Sequence, residues 1–427
     1  MKFLRSPTRE AAREALARPT QDLAQLMERV EPIFERVRRE GDKAVRTYTE
    51  LFDELTLERF EVPRAELEPL AEAIPDDLKA AIHLAAANIE AFHDTQHRYE
   101  APSETMPGVR VWRRPIPLER VGLYAPGGSA PLFSSVLMLG VPARLAGCSE
   151  IVLCTPPNAE GTLEPAMAAA ALAAGVHRVF LIGGAQAVAA MALGTETVPR
   201  VDKILGPGNQ YVTAAKQLAA SRGVAIDMPA GPSEVLVVAD DSAPTRNVAA
   251  DLLSQAEHGP DSQVVLVTTS ARLVAELEGE LERQLGKLPR AEVARRALDN
   301  SVAVQVPTLA EAMAISNDYA PEHLILAVED DEYLARSVRH AGSVFLGHYS
   351  PESVGDYASG TNHTLPTGGH ARAYAGVSLD SFVRKVTFQR LTRGGLEAIG
   401  TAVRVLAKAE GLEAHARAVS ARLNEKS

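Results

Sequence analysis

The chain of 427 residues contains only two cysteines, Cys148 and Cys154, which flank the segment SEIVL. So few cysteines exclude a disulfide framework, and free thiols are typical of a reducing compartment. They also exclude a zinc site built on cysteines, so any metal ligands must be His, Asp, Glu or amide side chains.

Long hydrophobic runs and an excess of positive charge are also missing. No stretch of about 20 apolar residues occurs, and the N-terminal segment MKFLRSPTREAAREAL lacks the apolar core of a secretory signal. The 44 Lys and Arg residues face 55 Asp and Glu residues, which gives a formal net charge of -11. This balance argues against a nucleic acid or a membrane surface as partner. We expect a cytoplasmic protein that acts on a small molecule.

The pattern of the remaining residues predicts an α/β protein. Long amphipathic helices fill the first hundred residues, with Thr20 as a helix N-cap and a break at Gly41. From Val121 onward, short apolar strands alternate with Ala-rich helices, and a helical tail follows. The predicted strands are EIVLCTP, RVFLIGGA, DKILGPG, EVLVVAD, SQVVLVTT, SVAVQV, HLILAV and SVFLG. Eight apolar strands favour two doubly wound, Rossmann-like parallel sheets rather than one.

Three Gly-rich turns follow predicted strands, in LYAPGGSAPLFSS, LIGGAQAVAAMALG and ILGPGNQYVTAAK. Ligands of such sheets bind at the carboxyl ends of strands, and glycines allow a phosphate to approach the backbone. None of the turns has the full GxGxxG pattern, and each alone also fits an ordinary strand-to-helix turn. Together they suggest a nucleotide cofactor.

Four short motifs carry candidate catalytic or metal-binding side chains. Gln255 and His258 are three residues apart at the end of a predicted helix. They could coordinate one metal ion, or they could simply form the polar C-terminus of the helix. Glu322 and His323 precede a strand as a possible acid–base pair, although such a dipeptide is usually solvated surface. Asp356 and His363 lie in a predicted long polar loop, a kind of segment that often binds ligands. His415 follows Glu410 in a predicted helix, where a single histidine is usually an exposed surface residue.

Seven motifs in order resemble the histidinol dehydrogenase family. They are RVGLYAPGG, IGGAQA, GPGNQYV, DMPAGPSEVLVVAD, DLLSQAEHGPDS, NDYAPEHL and SVGDYASGTNHTLPT. The resemblance runs from about residue 20 to the end of the chain. It implies NAD-dependent, four-electron oxidation of L-histidinol to L-histidine through the aldehyde, in the last steps of histidine biosynthesis.

The resemblance also implies a role for each candidate residue. The implied zinc ligands are Gln255, His258, Asp356 and His415; the catalytic residues are Glu322 and His323; the NAD contacts are Tyr124, Gln186 and Asn209; the histidinol contacts are Ser233, His363 and Glu410, with the zinc ligands and His323.

The family pattern implies one zinc ion per subunit and an intertwined homodimer in which His415 serves the partner's site. We accordingly expect four regions along the chain. They are an N-terminal helical arm (1–19), a first α/β domain (20–123 and 235–378), a second α/β domain that contacts NAD (124–234), and a C-terminal helical domain (379–427). Two alternatives stay open: a zinc-dependent hydrolase of a small polar substrate, and a non-catalytic NAD- or metal-binding regulator.

Overall fold

The computed structural model describes residues 1–18, 23–127, 131–229 and 231–423, so the predicted N-cap Thr20 lies outside the described residues. The chain divides into two compact units. The main unit comprises Met1–Thr95 and Glu119–Phe382, and the small unit comprises Gln96–Leu118 and Val383–Ser427.

The strands and helices alternate along most of the chain. The strands are β1 (Lys2–Arg5), β2 (Glu61–Val62), β3 (Ser103–Met106), β4 (Val109–Pro117), β5 (Arg120–Tyr124), β6 (Glu150–Thr155), β7 (Arg178–Leu181), β8 (Lys203–Leu205), β9 (Ala225–Ile226), β10 (Glu234–Ala239), β11 (Gln263–Thr268), β12 (Val302–Gln305), β13 (His323–Ala327), β14 (Ser343–Leu346) and β15 (Val383–Leu391). The helices are α1 (Arg9–Ala15), α2 (Leu23–Glu40), α3 (Asp42–Phe52), α4 (Arg64–Glu72), α5 (Asp76–Asp94), α6 (Phe133–Ala146), α7 (Pro165–Ala174), α8 (Gly184–Leu193), α9 (Gln210–Ser221), α10 (Thr245–Ala256), α11 (Ala271–Leu285), α12 (Ala291–Asp299), α13 (Leu309–Tyr319), α14 (Asp331–Ala335), α15 (Glu352–Tyr357), α16 (Arg393–Ala409) and α17 (Glu413–Arg422).

The first sheet of the main unit has the order β1-β12-β11-β10-β13-β14, and its strands are parallel. Helices α10, α11 and α12 cover one face, while α1, α13 and α14 cover the other. All residues of β10 and β11 are buried, which explains why their sequences are apolar without alternation.

The second sheet has the order β2-β7-β6-β5-β8-β9, and it is parallel except for the short β2. In both sheets the chain passes from a central strand to one side and then returns to the other side. This reversal creates switch points between β10 and β13 and between β5 and β8, where doubly wound sheets bind ligands.

The eight strands predicted from the sequence are confirmed, as is the break between α2 and α3 at Gly41. The prediction of purely helical terminal elements is wrong. β1 forms an edge of the first sheet, and β15 pairs antiparallel with β4 in a three-stranded sheet of the small unit. These strands are mostly exposed and lack an apolar run, so only pairing with a distant strand identifies them.

The predicted limits of the four regions stay a prediction. Within the residues that the structure describes, no helix combines the length and the hydrophobicity required to cross a membrane.

Candidate active site

The three Gly-rich turns come together at the carboxyl edge of the second sheet. The turns after β5, β7 and β8 line a cleft of about 1280 Å³, to which Tyr124, Gln186 and Asn209 all contribute. Residues 128–130 of the first turn lie outside the described residues. The sequence prediction that these turns follow strand ends therefore agrees with the structure, and the cleft that they share is large enough for a ligand.

The polar groups of Tyr124 and Asn209 make hydrogen bonds within the protein, whereas the amide of Gln186 makes none among the described residues. The Tyr124 hydroxyl accepts a hydrogen bond of 3.0 Å from the Gly184 N–H, and burial raises the pKa of Tyr124 to about 12. The Asn209 carbonyl oxygen caps α9 through the Tyr211 and Val212 N–H groups. Gln186 is only 1% exposed, and neither atom of its amide has a partner among the described residues. Such an orphaned amide is suited to the polar groups of a ligand.

A buried ion pair that the sequence analysis missed supports the turn after β8. Lys216 and Asp227 contact each other, and both are almost completely buried. The Lys216 ammonium donates to the Gly206 carbonyl and the Asp227 carboxylate accepts from the Gly206 N–H, each at 2.8 Å. Gly206 has a φ of +130°, and a Cβ there would lie 2.1 Å from the Tyr124 carbonyl oxygen, so this position requires glycine.

A second polar site lies at the amino ends of β10 and β13. Glu322 and His323 are 6% and 3% exposed, so the alternative of a solvated dipeptide is wrong. A Glu322 carboxylate oxygen accepts from the Glu234 N–H at 2.9 Å. The Nδ1 atom of His323 lies 3.3 Å from the Glu234 carbonyl oxygen, and its Nε2 atom lies 3.3 Å from Oδ1 of Asp356.

The pKa values of both members of this pair lie above their ordinary values, for different reasons. Burial raises the pKa of Glu322 to about 8. Burial alone would lower the pKa of His323, but the carboxylates of Glu322, Asp356 and Glu352 outweigh it and raise that pKa to about 10. These carboxylates favour the protonated imidazole, whereas an unperturbed histidine is mostly neutral at pH 7.

Of the metal-ligand candidates, Asp356 contacts His323, and His258 lies near enough to both for their charges to interact. Gln255, in the last turn of α10, is fully buried, and neither of its amide atoms has a partner among the described residues. His258 lies just beyond the helix and is exposed. Desolvation by the surrounding atoms lowers its pKa, against the opposing charge of Asp356. His323 holds the pKa of Asp356 below its ordinary value, although burial acts in the opposite direction.

Across the described ranges, no three His, Cys, Asp or Glu side chains converge closely enough to hold a metal ion. The predicted ligand set contains only two such residues from the main unit, His258 and Asp356. The neutral amide of Gln255 and a further ligand from outside the main unit would have to complete the metal site.

The remaining candidates lie at different places in the two units. The His363 Nε2 atom is 3.3 Å from the Ser134 hydroxyl, and burial lowers the pKa of His363 despite the nearby Asp356. Ser233 is half-buried and immediately precedes β10. Glu410 and His415 belong to the small unit, where both are exposed, at the end of α16 and near the start of α17.

Comparison with known proteins identifies the family. The family model for histidinol dehydrogenase matches residues 16–423. A histidinol dehydrogenase from Bacteroides thetaiotaomicron is 55% identical over 424 residues, with 99% of both chains covered. The chain belongs to the histidinol dehydrogenase family. This confirms the family inferred from the seven sequence motifs.

Solved structures agree with this membership. The crystal structure of histidinol dehydrogenase from Elizabethkingia anophelis is similar with a TM-score of 0.96 and 50% identity, covering 99% of this chain and 98% of that one. A betaine aldehyde dehydrogenase from Staphylococcus aureus has a TM-score of 0.51 at 13% identity, with 91% of each chain covered. The second likeness concerns the fold alone.

Two further buried groups bear on the chemistry of this histidinol dehydrogenase family member. Glu352, 1% exposed, accepts from the Ser254 hydroxyl at 2.9 Å, and burial raises its pKa to about 8. The sequence analysis missed it because an acidic residue opening a short helix is usually exposed. Cys154 is fully buried, and burial raises its pKa, so it is a core thiol.

Proposed function

We propose that the chain oxidises L-histidinol to L-histidine in two NAD-dependent steps within one zinc-containing pocket. The observation that carries the proposal is the convergence of Glu322 and Asp356 on His323, at the start of β13. The buried, unpartnered amide of Gln255 supports it separately. Family membership supplies the reaction, and this cluster supplies the acid–base groups that it needs. We also propose a cytoplasmic location, with which the free, buried thiols of Cys148 and Cys154 are compatible.

Gln255, His258 and Asp356, with His415 of the partner subunit in a homodimer, would hold one zinc ion per subunit. The donor chemistry fits, because Gln255 presents a buried, unpartnered amide and desolvation lowers the pKa of His258, which favours the neutral imidazole that binds metal. Zinc would orient the imidazole and amino nitrogens of histidinol and, by neutralising Asp356, would lower the pKa of His323.

Tyr124, Gln186 and Asn209 would hold NAD in the cleft that they line, and the bound cofactor would supply the hydride acceptor for each oxidation. The orphaned amide of Gln186 supports this assignment, as does the position of the cleft at a switch point of the second sheet. Ser233, His363 and Glu410 would contact histidinol.

His323 would act as the base in both oxidations. A carbonyl oxygen can only accept a hydrogen bond, so the Glu234 carbonyl places the proton of a neutral His323 on Nδ1. Its Nε2 atom then faces Asp356 and the substrate pocket, where it takes the hydroxyl proton of histidinol as the hydride leaves.

Glu322 would serve the second half of the reaction. A carboxyl group with a pKa of about 8 exchanges protons near neutral pH, and can therefore assist the addition of water to the aldehyde. After His323 has released its first proton to solvent, it would take a proton from the resulting gem-diol as the second hydride leaves. The product would be the carboxylic acid of histidine, which ionises to the carboxylate by losing a further proton to water. Retaining the aldehyde in the pocket prevents its side reactions.

The proposal is tested by NADH absorbance with histidinol and with histidinaldehyde as substrates. His323→Asn should keep zinc and substrate binding and lose most turnover, since the amide cannot accept the proton. Glu322→Gln should slow aldehyde oxidation more than alcohol oxidation.

Near-normal turnover of His323→Asn at neutral pH would remove His323 as the base. Formation of no NADH by the wild-type chain would favour the hydrolase, or, if cofactor still bound, the regulator.

A further inference from the structure

Glu234, the first residue of β10, contacts both members of the proposed catalytic pair through its backbone. Its N–H donates to the Glu322 carboxylate at 2.9 Å, and its carbonyl oxygen lies 3.3 Å from Nδ1 of His323. A single peptide position thus orients the carboxylate and fixes which imidazole nitrogen is available as a base. Any displacement of Glu234 would move both groups.

The side chain of Glu234 is anchored by Arg18, far away in sequence. Glu234 is 2% exposed, and its two carboxylate oxygens lie 2.5 and 3.1 Å from the guanidinium nitrogens Nε and Nη2 of Arg18. This paired geometry restricts orientation as well as distance, which a lysine ammonium would not do.

Arg18 also contacts the end of α13, which leads directly into the catalytic pair. Its guanidinium donates to the Tyr319 carbonyl at 2.8 Å and lies 3.8 Å from the centre of the Tyr319 ring. The Tyr319 hydroxyl in turn lies 2.9 Å from the Glu234 carboxylate. Arg18 therefore ties together the two segments from which β10 and β13 begin.

We propose that Arg18 and Glu234 are positioning residues for Glu322 and His323, an inference that rests on the proposed function of that pair. Neither residue needs to touch the substrate. Arg18 holds the Glu234 side chain, and the Glu234 backbone holds the carboxylate and the imidazole. Catalytic geometry is sensitive to displacements of about 1 Å, which can cost about 10²-fold in rate.

The experiment compares Arg18→Met with Arg18→Lys and with the control Arg9→Met. Arg9 makes a similar contact with Asp318, at 2.5 Å, but is mostly exposed, and among the described residues it bonds no group that touches the catalytic pair. For each zinc-loaded enzyme, kcat, the KM values for histidinol and NAD, the zinc content and the melting temperature are measured.

We expect Arg18→Met to lower kcat by about 10- to 100-fold, the range set by such displacements. The KM for NAD and the zinc content should stay within about twofold of wild type, because the cleft of the second sheet and the metal ligands do not contact Arg18. Arg18→Lys should recover only part of the loss, and Arg9→Met should leave kcat unchanged.

A normal kcat for Arg18→Met with a lowered melting temperature would overturn the proposal and leave Arg18 a purely structural residue. Equal losses of kcat, zinc and NAD binding would overturn it as well, since they indicate general damage. If Arg18→Met does not fold, the same measurements are made on Glu234→Gln, which retains the shape of the side chain but loses its charge. The same outcomes then support or overturn the proposal. Failure of the wild-type chain to form NADH would instead refute the proposed function.

Discussion

Replacement of Lys216 by methionine probes the buried ion pair behind the cofactor cleft. Lys216 is 3% exposed and contacts both the Asp227 carboxylate and the Gly206 carbonyl. Loss of the ammonium leaves a buried carboxylate without its cation, which typically costs about 3–5 kcal/mol. The N–H groups of Gly206 and Met228 still donate to Asp227, each at 2.8 Å. We therefore expect a loss near the lower limit, about 3 kcal/mol in the free energy of unfolding of the main unit.

The same substitution should weaken NAD binding selectively. The turn from Gly206 to Asn209 loses support on one side, so the KM for NAD should rise about tenfold, equivalent to about 1.4 kcal/mol. The KM for histidinol should change little. Adding Asp227→Asn should restore much of the stability, because the unpaired buried charge is removed.

Urea unfolding followed by circular dichroism and steady-state kinetics measure these effects. Lys79→Met is the control, since Lys79 forms ion pairs only with the exposed residues Glu72 and Asp76 among the contacts seen. The reasoning is refuted if Lys216→Met unfolds at the same urea concentration as the control and binds NAD normally.

Two further predictions concern the polar cluster. In metal-free protein, Glu352 has a pKa of about 8, raised by burial from its ordinary 4.5, so it is protonated when folded and ionised when unfolded between these pH values. The unfolded chain then binds fewer protons than the folded chain, so stability falls as pH rises through this window. Glu352→Gln should therefore make the melting temperature depend less on pH between about 5 and 8. An unchanged pH dependence would contradict the raised pKa of Glu352. Mixing Asp356→Ala chains with His415→Ala chains should restore part of the activity, because one hybrid site would be intact; heterodimers without activity would argue against a shared ligand.

The fold was largely predictable because its strands are buried on both faces. EVLVVA and QVVLVT consist of buried residues in the structure, and such runs between Ala-rich helices indicate parallel strands. β15 was not predicted because most of its residues are exposed and its pairing with β4 joins residues far apart in sequence. Exposed strands of this kind leave little local signal.

The site was predictable only where residues stand in recognisable motifs. Glu322, His323 and Asp356 stand in such motifs, and the structure brings these three side chains together. The roles predicted for them, and for Gln255 and His258, stay a prediction. Lys216 and Arg18 were missed because their partners are distant in sequence. The sequence did contain a weak sign of the Lys216 ion pair, because a charged residue stands among the apolar, buried residues of the Ala-rich helix α9. The raised pKa of His323 was also unforeseen, because it depends on three carboxylates that only the fold brings together.

The most direct test of the proposed site is NADH formation per histidinol in protein of known zinc content, before and after chelation. We predict one zinc ion per chain and two NADH per histidinol, loss of turnover on chelation, and recovery on adding zinc, with Gln255→Ala and Asp356→Ala both failing to retain the metal. Full turnover by the zinc-free chain, or tight zinc binding by both variants, would contradict the site proposed here.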